Sequence, residues 1–94
     1  MELAGFKNKA LRRFWEEGQA RGLPVQNTAK LETLLRVLFR MSVVEEFLAL
    51  PIDAPHQLTG DRRGTYAVSV TANWRLTFRI EDDAVIDLDL EDYH

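Results

Sequence analysis

The hydrophobic pattern of the sequence changes its period near residue 58, and this change constrains the fold more than any other feature. Upstream, apolar residues recur every three or four positions, as they do on the buried face of a helix. Downstream, apolar and polar residues alternate, as they do along strands with one buried face. The change predicts an α+β domain in which two N-terminal helices pack on a small antiparallel β-sheet. A chain of 94 residues has room for one core, so we expect a single domain over residues 1–94.

Two helices are predicted in the N-terminal half of the chain. The first begins after Asn8, a favourable N-cap, and ends at Gly18. The second has Thr28 as its cap, a separate short turn follows at residues 44–48, and residues 3–6 are expected to form an edge strand. Core packing is the ordinary interpretation of both apolar stripes, and nucleic-acid binding by the basic face of the first helix is the less favoured one. The stripe residues are Ala10, Leu11, Phe14 and Trp15 in the first helix, and Leu31, Leu34, Leu35, Leu38 and Phe39 in the second.

Three strands are expected to form an antiparallel meander at residues 65–70, 74–80 and 86–90. A slip of one residue would turn an apolar face outward, so the register follows from keeping these faces together. The predicted cross-strand pairs are Val70 with Trp74, Phe78 with Leu88, Ile80 with Ile86, Arg75 with Glu91, Thr77 with Asp89, and Arg79 with Asp87. Opposite charges in two of these pairs support the same register, because they attract across neighbouring strands. The outer face of the sheet is therefore expected to be polar and partly cationic.

The charge balance bears on nucleic-acid binding. The formal net charge of −3 argues against it, because contacts with phosphate need lysine or arginine. The distribution weakens this objection, since four acidic residues fall in the last eight positions. Basic residues gather at positions 7–13 and at Arg62, Arg63, Arg75 and Arg79; of these, Arg62, Arg63 and Arg79 are candidate RNA-binding residues.

The sequence offers no sign of export or of membrane insertion. Its longest apolar runs are about half a dozen residues, against the ~20 needed to cross a bilayer. The N-terminus lacks the basic start and apolar stretch of a signal peptide. Cysteine is absent, so neither a disulfide nor a thiolate site can form. We therefore expect a cytoplasmic protein without a membrane partner.

Both histidines of the chain suit proton transfer in RNA cleavage. Cleavage without a metal needs a base for the 2′-OH, an acid for the leaving 5′-oxygen, and cations for the charge on phosphorus. Histidine fits the first two roles because its pKa is ordinarily about 6.5. His56 and His94 are the candidates, Arg75 is the candidate phosphate ligand, Tyr93 can stack on a base, and Asp92 can set a histidine tautomer.

Ordinary roles for the same residues stay open on chemistry alone. A histidine in a polar loop is usually solvated, a polar C-terminus is usually frayed, and Arg75 can simply pair with an acid. A metal site is disfavoured, because no third ligand is evident beside Asp92 and His94. No glycine-rich phosphate loop is present, and no cofactor is expected.

Four segments of the chain together carry a family resemblance. They are Phe6-Lys7-Asn8-Lys9-Ala10-Leu11, His56-Gln57-Leu58-Thr59-Gly60-Asp61, Ala72-Asn73-Trp74-Arg75-Leu76-Thr77-Phe78 and Glu91-Asp92-Tyr93-His94. In this order, the segments resemble the HigB-type toxins of the RelE superfamily, also called plasmid maintenance system killer proteins. The Asn-Trp-Arg strand and the closing Asp-Tyr-His are specific in combination.

The resemblance implies a small α+β fold and a ribosome-dependent endoribonuclease that cuts mRNA and stops translation. It implies a helix-turn-helix antitoxin of the HigA type as partner, which represses the operon, so that operator DNA is reached only through the antitoxin. The family's catalytic histidine falls on His56 and its strand arginine on Arg75. Its C-terminal acid, tyrosine and histidine fall on Asp92, Tyr93 and His94.

The chain departs from the family pattern at two positions near His56. The family's usual His-Pro-Leu-Lys-Gly ends here in Leu58-Thr59-Gly60, so that Thr59 stands where a lysine steadies the scissile phosphate. Arg62 or Arg63 is the nearest cation that can take its place, and Tyr66 stands where the family has a tryptophan. These departures and the acidic balance leave an alternative open: a catalytically weak member that serves as an antitoxin-binding module.

Overall fold

The protein, for which we have a computed structural model, is described over residues 1–51 and 54–92. The α+β architecture is confirmed, with three helices and a five-stranded sheet in these two ranges. The helices are α1 (Lys9–Glu17), α2 (Thr28–Arg40) and α3 (Val44–Leu48). The strands are β1 (Glu2–Leu3), β2 (His56–Gln57), β3 (Thr65–Ser69), β4 (Trp74–Glu81) and β5 (Ala84–Asp92), and a 3-10 turn spans Gly60–Arg62.

The strand order across the sheet is β1-β5-β4-β3-β2. The predicted meander is confirmed, since β3, β4 and β5 are successive antiparallel neighbours. The predicted first edge strand is present, but it covers Glu2–Leu3 and runs parallel to β5, so the sheet is not wholly antiparallel. A parallel neighbour is possible because the helices separate β1 from the rest of the sheet in the chain, which gives room for a crossover connection.

Side-chain caps fix where the first two helices begin. The Asn8 side-chain oxygen accepts a hydrogen bond from the Leu11 amide at 2.8 Å, and Gly18 ends α1 in the left-handed region at φ 74°. Both predictions for α1 are confirmed. The predicted cap of α2 was wrong by one residue: Asn27 accepts from the Lys30 amide at 3.1 Å, and Thr28 is the first helical residue.

The core lies between the helices and one face of the sheet. Phe78 of β4 is fully buried at its centre, with its ring centroid 5.0 Å from that of Phe47 on α3 and 5.5 Å from that of Tyr66 on β3. One predicted core residue was placed wrongly, because Phe39 is 52% exposed and rests against Trp15 on the outside of α1 and α2. Other fully buried large residues include Phe47, Leu11, Leu31, Leu35, Leu38, Leu76 and Leu88.

The register between β4 and β5 is correct at one end and wrong at the other. Arg75 pairs with Glu91 and Thr77 with Asp89, as predicted. Beyond Thr77 the register shifts, so that Arg79 pairs with Ile86 instead of Asp87, and Ile80 pairs with Val85 instead of Ile86. The predicted pair of Phe78 with Leu88 is replaced by a bulge.

The bulge has a simple geometric origin. Between the Thr77–Asp89 and Arg79–Ile86 pairs, β4 supplies only Phe78, whereas β5 supplies two residues, and one of them, Asp87, has a φ of 55°. The hairpin is closed by a two-residue turn, Asp82 and Asp83, both with positive φ, as a type I′ turn requires. The turn and the polar pairs each fix one end of the ladder, and the extra residue is absorbed between them.

Candidate functional site on the polar face of the sheet

The face of the sheet turned away from the helices is polar. Residues paired across neighbouring strands project to the same side of a sheet. One row across it contains His56, Ala67, Thr77 and Asp89, and the next contains Ser69, Arg75 and Glu91. The apolar residues between them face the core. This arrangement confirms the prediction of a polar, partly cationic outer face.

Glu91 is the centre of this face. Its two carboxylate oxygens accept hydrogen bonds from both terminal nitrogens of Arg62, at 2.8 and 2.5 Å. Arg75 donates to the same carboxylate at 3.1 Å, and the Thr77 hydroxyl donates to it at 2.8 Å. We call these four residues the Glu91 cluster. It joins the 3-10 turn before β3 to the ends of β4 and β5.

The surroundings of Glu91 keep its carboxyl group ionised. The hydrogen bonds from Arg62, followed by those from Thr77 and Arg75, lower the pKa of Glu91 to about 2, against the opposing effect of partial burial. The same contact with Glu91 raises the pKa of Arg62. The cluster therefore holds two cations and one anion at any pH near neutrality.

This charge arrangement predicts acid lability. Because the folded-state pKa of Glu91 lies below its ordinary value of 4.5, the cluster stabilises the fold above that pH and ceases to do so as the pH falls toward 2. As the pH falls from about 5 to about 2, protonation of Glu91 should lower the free energy of unfolding of wild type by about 2–3 kcal/mol. Urea unfolding of wild type and Glu91→Gln across this range measures the difference. Equal losses in the two proteins would contradict the assignment.

His56 lies at the edge of the same face. It was predicted in a loop, but it belongs to the two-residue strand β2 and pairs with Ala67. Its Nδ1 is 2.7 Å from the carbonyl oxygen of Ala54, which can only accept, so Nδ1 carries the proton. In the neutral ring, Nε2 is then the basic nitrogen, and the ring is exposed. Two strand spacings, roughly 10 Å, separate His56 from Thr77.

Three other predicted site residues of the described chain, Arg79, Arg63 and Asp92, lie outside the Glu91 cluster. Arg79 is exposed, on the same strand as Arg75 but beyond Thr77, with Nη1 3.4 Å from the Thr65 hydroxyl. Arg63 is exposed and ends the 3-10 turn that carries Arg62. Asp92 is exposed and pairs with Trp74, so strand alternation directs it to the side opposite Glu91. Tyr93 and His94 lie outside the described residues.

Glu91 was not among the functional residues predicted from the sequence. The strand register indicated its pairing with Arg75, which the structure confirms. Nothing in the sequence indicated the ion pair with Arg62, which is 29 residues away in the chain. Only the return of the 3-10 turn over the sheet brings these two residues together.

Two absences apply to the described part of the chain alone. Within residues 1–51 and 54–92, no three His, Asp or Glu side chains are grouped so that they could hold a metal ion. None of the helices in those ranges combines the length and hydrophobicity that crossing a bilayer requires.

The fold is that of known bacterial toxins. A YoeB/ParE toxin from Agrobacterium tumefaciens superposes with a TM-score of 0.62 at 18% identity, covering 100% of both chains. A YafQ mutant from E. coli superposes with a TM-score of 0.60 at 18% identity, covering 98% of this chain and 93% of that chain. A YoeB–YefM complex from Staphylococcus aureus gives a TM-score of 0.55 at 18% identity, covering 100% of this chain and 99% of that chain. At this identity, the likeness defines a class of fold.

The sequence comparisons define the family within that class. Residues 4–94 match the family described as RelE-like toxin of type II toxin-antitoxin system HigB. The Endoribonuclease HigB of Proteus vulgaris is 38% identical over 93 residues, which cover 98% of this chain and 99% of that protein. The chain therefore belongs to the HigB family of RelE-like toxins of type II toxin–antitoxin systems, which confirms the resemblance of its motifs.

Proposed function

We propose that this protein is an endoribonuclease that cuts mRNA on the ribosome and thereby stops translation. The observation that carries the proposal is the polar sheet face, where two arginines lie beside one another and a histidine at the edge has its basic nitrogen directed by a backbone contact. The 38% identical relative named as an endoribonuclease supports it. The shared hydrophobic core supports treating residues 1–94 as one domain, which we place in the cytoplasm with the translating ribosomes.

The chemistry is attack of the RNA 2′-OH on the adjacent phosphorus. Nε2 of His56 removes the proton from the 2′-OH, and His94 protonates the leaving 5′-oxygen. Arg75 stabilises the charge that develops on the phosphate oxygens. Asp92 sets the protonation state of His94, and Tyr93 stacks on a base or contacts the phosphate.

Three further arginines serve RNA binding. Arg62 can hold Glu91 through two of its five N–H groups and still donate to a phosphate. Arg63 and Arg79 are exposed and extend the cationic surface to either side. Their contribution is electrostatic, so it should weaken as the salt concentration rises.

The partner is an antitoxin that releases the cell from arrest. The solved YoeB–YefM complex of the same fold supports a protein partner for this chain. We expect a helix-turn-helix protein of the HigA type encoded beside it, with operator DNA contacted through that antitoxin. A mobility-shift assay tests this: DNA should shift with the antitoxin or with the pair, and a shift with the toxin alone would contradict it.

One observation favours the alternative of a catalytically weak member that acts as an antitoxin-binding module. Thr59 stands in the place of the family lysine, and Glu91 offsets the charge of one of the two arginines beside it. This alternative predicts tight antitoxin binding with no cleavage of mRNA.

Purified components decide between the two functions. We expect the toxin to cut mRNA when ribosomes are present and to leave free mRNA intact, with products that end in a 2′,3′-cyclic phosphate. Products ending in a 3′-hydroxyl would contradict attack by the 2′-OH. Cutting of free mRNA would contradict ribosome dependence. Intact mRNA in both mixtures, from a folded toxin that still binds its antitoxin, would favour the binding module.

A further inference from the structure

Arg62 and Arg75 meet at a single atom. Both donate to Oε1 of Glu91, from 2.8 and 3.1 Å respectively, although one belongs to the 3-10 turn and the other to β4. The two donating nitrogens are therefore no farther apart than the sum of these two hydrogen-bond lengths. A single phosphate group, with its several oxygens, can therefore span both guanidinium groups.

The carboxylate lies beneath the arginine that faces solvent. The side chains of Glu91 and Arg75 are each 20% exposed, whereas that of Arg62 is 44% exposed. An approaching RNA strand would therefore contact Arg62 before it could contact Glu91. Glu91 is therefore more shielded from solvent than Arg62 and as shielded as Arg75.

Two like charges this close need an anion between them. Without Glu91, the guanidinium groups would repel each other, and Arg62, on a short turn, is the one with room to move away. The carboxylate is itself fixed, because the buried Thr77 hydroxyl donates to Oε2. Its low pKa keeps the anion in place throughout the working pH range.

We propose that Glu91 is a positioning residue that holds Arg62 and Arg75 side by side as a two-guanidinium cradle for one phosphate of the RNA backbone. This inference rests on the proposed ribonuclease function and names the cation that stands in for a lysine at Thr59. Glu91 does not touch the RNA; it acts through the two arginines.

Glu91→Gln gives a signature that a merely structural role does not. Removing the negative charge makes the surface more cationic while both arginine charges remain, so RNA should bind at least as tightly. Losing the position of Arg62 should lower kcat about 10- to 100-fold. Binding and turnover therefore move in opposite directions. Thr77→Val, which removes only the hydroxyl beneath Oε2, should lower kcat by a smaller factor.

The control for charge is Glu81→Gln, which makes the same change on an exposed residue at the far end of β4. It should leave kcat unchanged. Cleavage by Glu91→Gln at the wild-type rate would overturn the inference. So would a parallel loss of kcat and RNA affinity, because that is the pattern of a damaged fold.

A binding measurement keeps the inference separable from the function. The probe is a 2′-O-methyl oligonucleotide, which cannot be cut. Arg62→Ala and Arg75→Ala should each weaken its binding, and the double variant should lose less than the product of the two factors, because both contact one phosphate. In the Glu91→Gln background this coupling should vanish. If wild type cuts no RNA, the proposed function fails, but this coupling still tests the inference. If the losses of affinity in Arg62→Ala and Arg75→Ala simply multiply in the protein that retains Glu91, the inference is overturned.

Discussion

Replacing Arg75 with alanine is expected to lower the rate of mRNA cleavage by about 10²–10³-fold, equivalent to ~2.7–4 kcal/mol of transition-state stabilisation. Arg75 lies on β4 with its guanidinium fixed against Glu91, so it can meet a developing phosphate charge without reorganising. The change is measured as the rate of product formation under saturating toxin on ribosomes that carry mRNA. The loss should appear in kcat, because the interaction strengthens as charge accumulates on the phosphate oxygens.

Arg21→Ala is the matched control for this loss. It removes the same charge from an exposed residue of the loop between α1 and α2, and cleavage should stay within a factor of about two. Thermal unfolding of both variants checks that the fold is intact. Cleavage by a folded Arg75→Ala protein at the wild-type rate would show that Arg75 does not act in catalysis.

Replacing Phe78 with alanine is expected to lower the free energy of unfolding by about 3–5 kcal/mol. Phe78 is fully buried where three rings meet, and its removal leaves a cavity between α3 and the sheet. Domains of this size are stable by about 5–15 kcal/mol in total, so the variant should be partly unfolded at 37 °C. Urea or thermal unfolding followed by circular dichroism measures the loss.

Phe39→Ala is the comparison that isolates burial. It makes the same substitution at a side chain that is 52% exposed on the outer surface of α2, where about 1 kcal/mol or less is expected. Similar losses for the two variants would contradict the placement of the core. Phe78 is also the residue that β4 supplies at the bulge, so its loss should loosen the pairing of β4 with β5 at that point.

Local chemistry explains which parts of the fold were predictable. Asn8 and Gly18 delimit α1. The Asn8 side chain accepts a hydrogen bond from the Leu11 amide at the start, and the Gly18 backbone N–H donates to the Phe14 carbonyl at the end. The pairing of Arg75 with Glu91 followed from alternation and opposite charge. Periodicity could not reveal the exposure of Phe39. The apolar stripe of α2 is wider than the surface that α2 buries against the core, so a residue at the edge of the stripe is left exposed.

The remaining features depend on long-range geometry. The bulge at Asp87 arises because the pairing of β4 with β5 is fixed separately at each end. No residue type near Asp87 indicates that β5 has one extra residue there. The strand containing His56 has two residues, too few to show alternation. The ion pair of Arg62 with Glu91 depends on how the 3-10 turn crosses the sheet. The candidate site was therefore predictable in its residue types and in one of its contacts, but not in its centre.

The most direct test of the ribonuclease account is growth after induced expression of wild type beside a His56→Ala/His94→Ala double variant. Removing both proton-transfer groups should cost at least ~10²–10⁴-fold in cleavage, so wild type should arrest growth and the variant should not. Antitoxin binding by the purified variant confirms that it is folded. Arrest by the variant as strong as that of wild type would contradict the assigned site. Normal growth with a soluble, folded wild type would contradict the ribonuclease and leave the antitoxin-binding module.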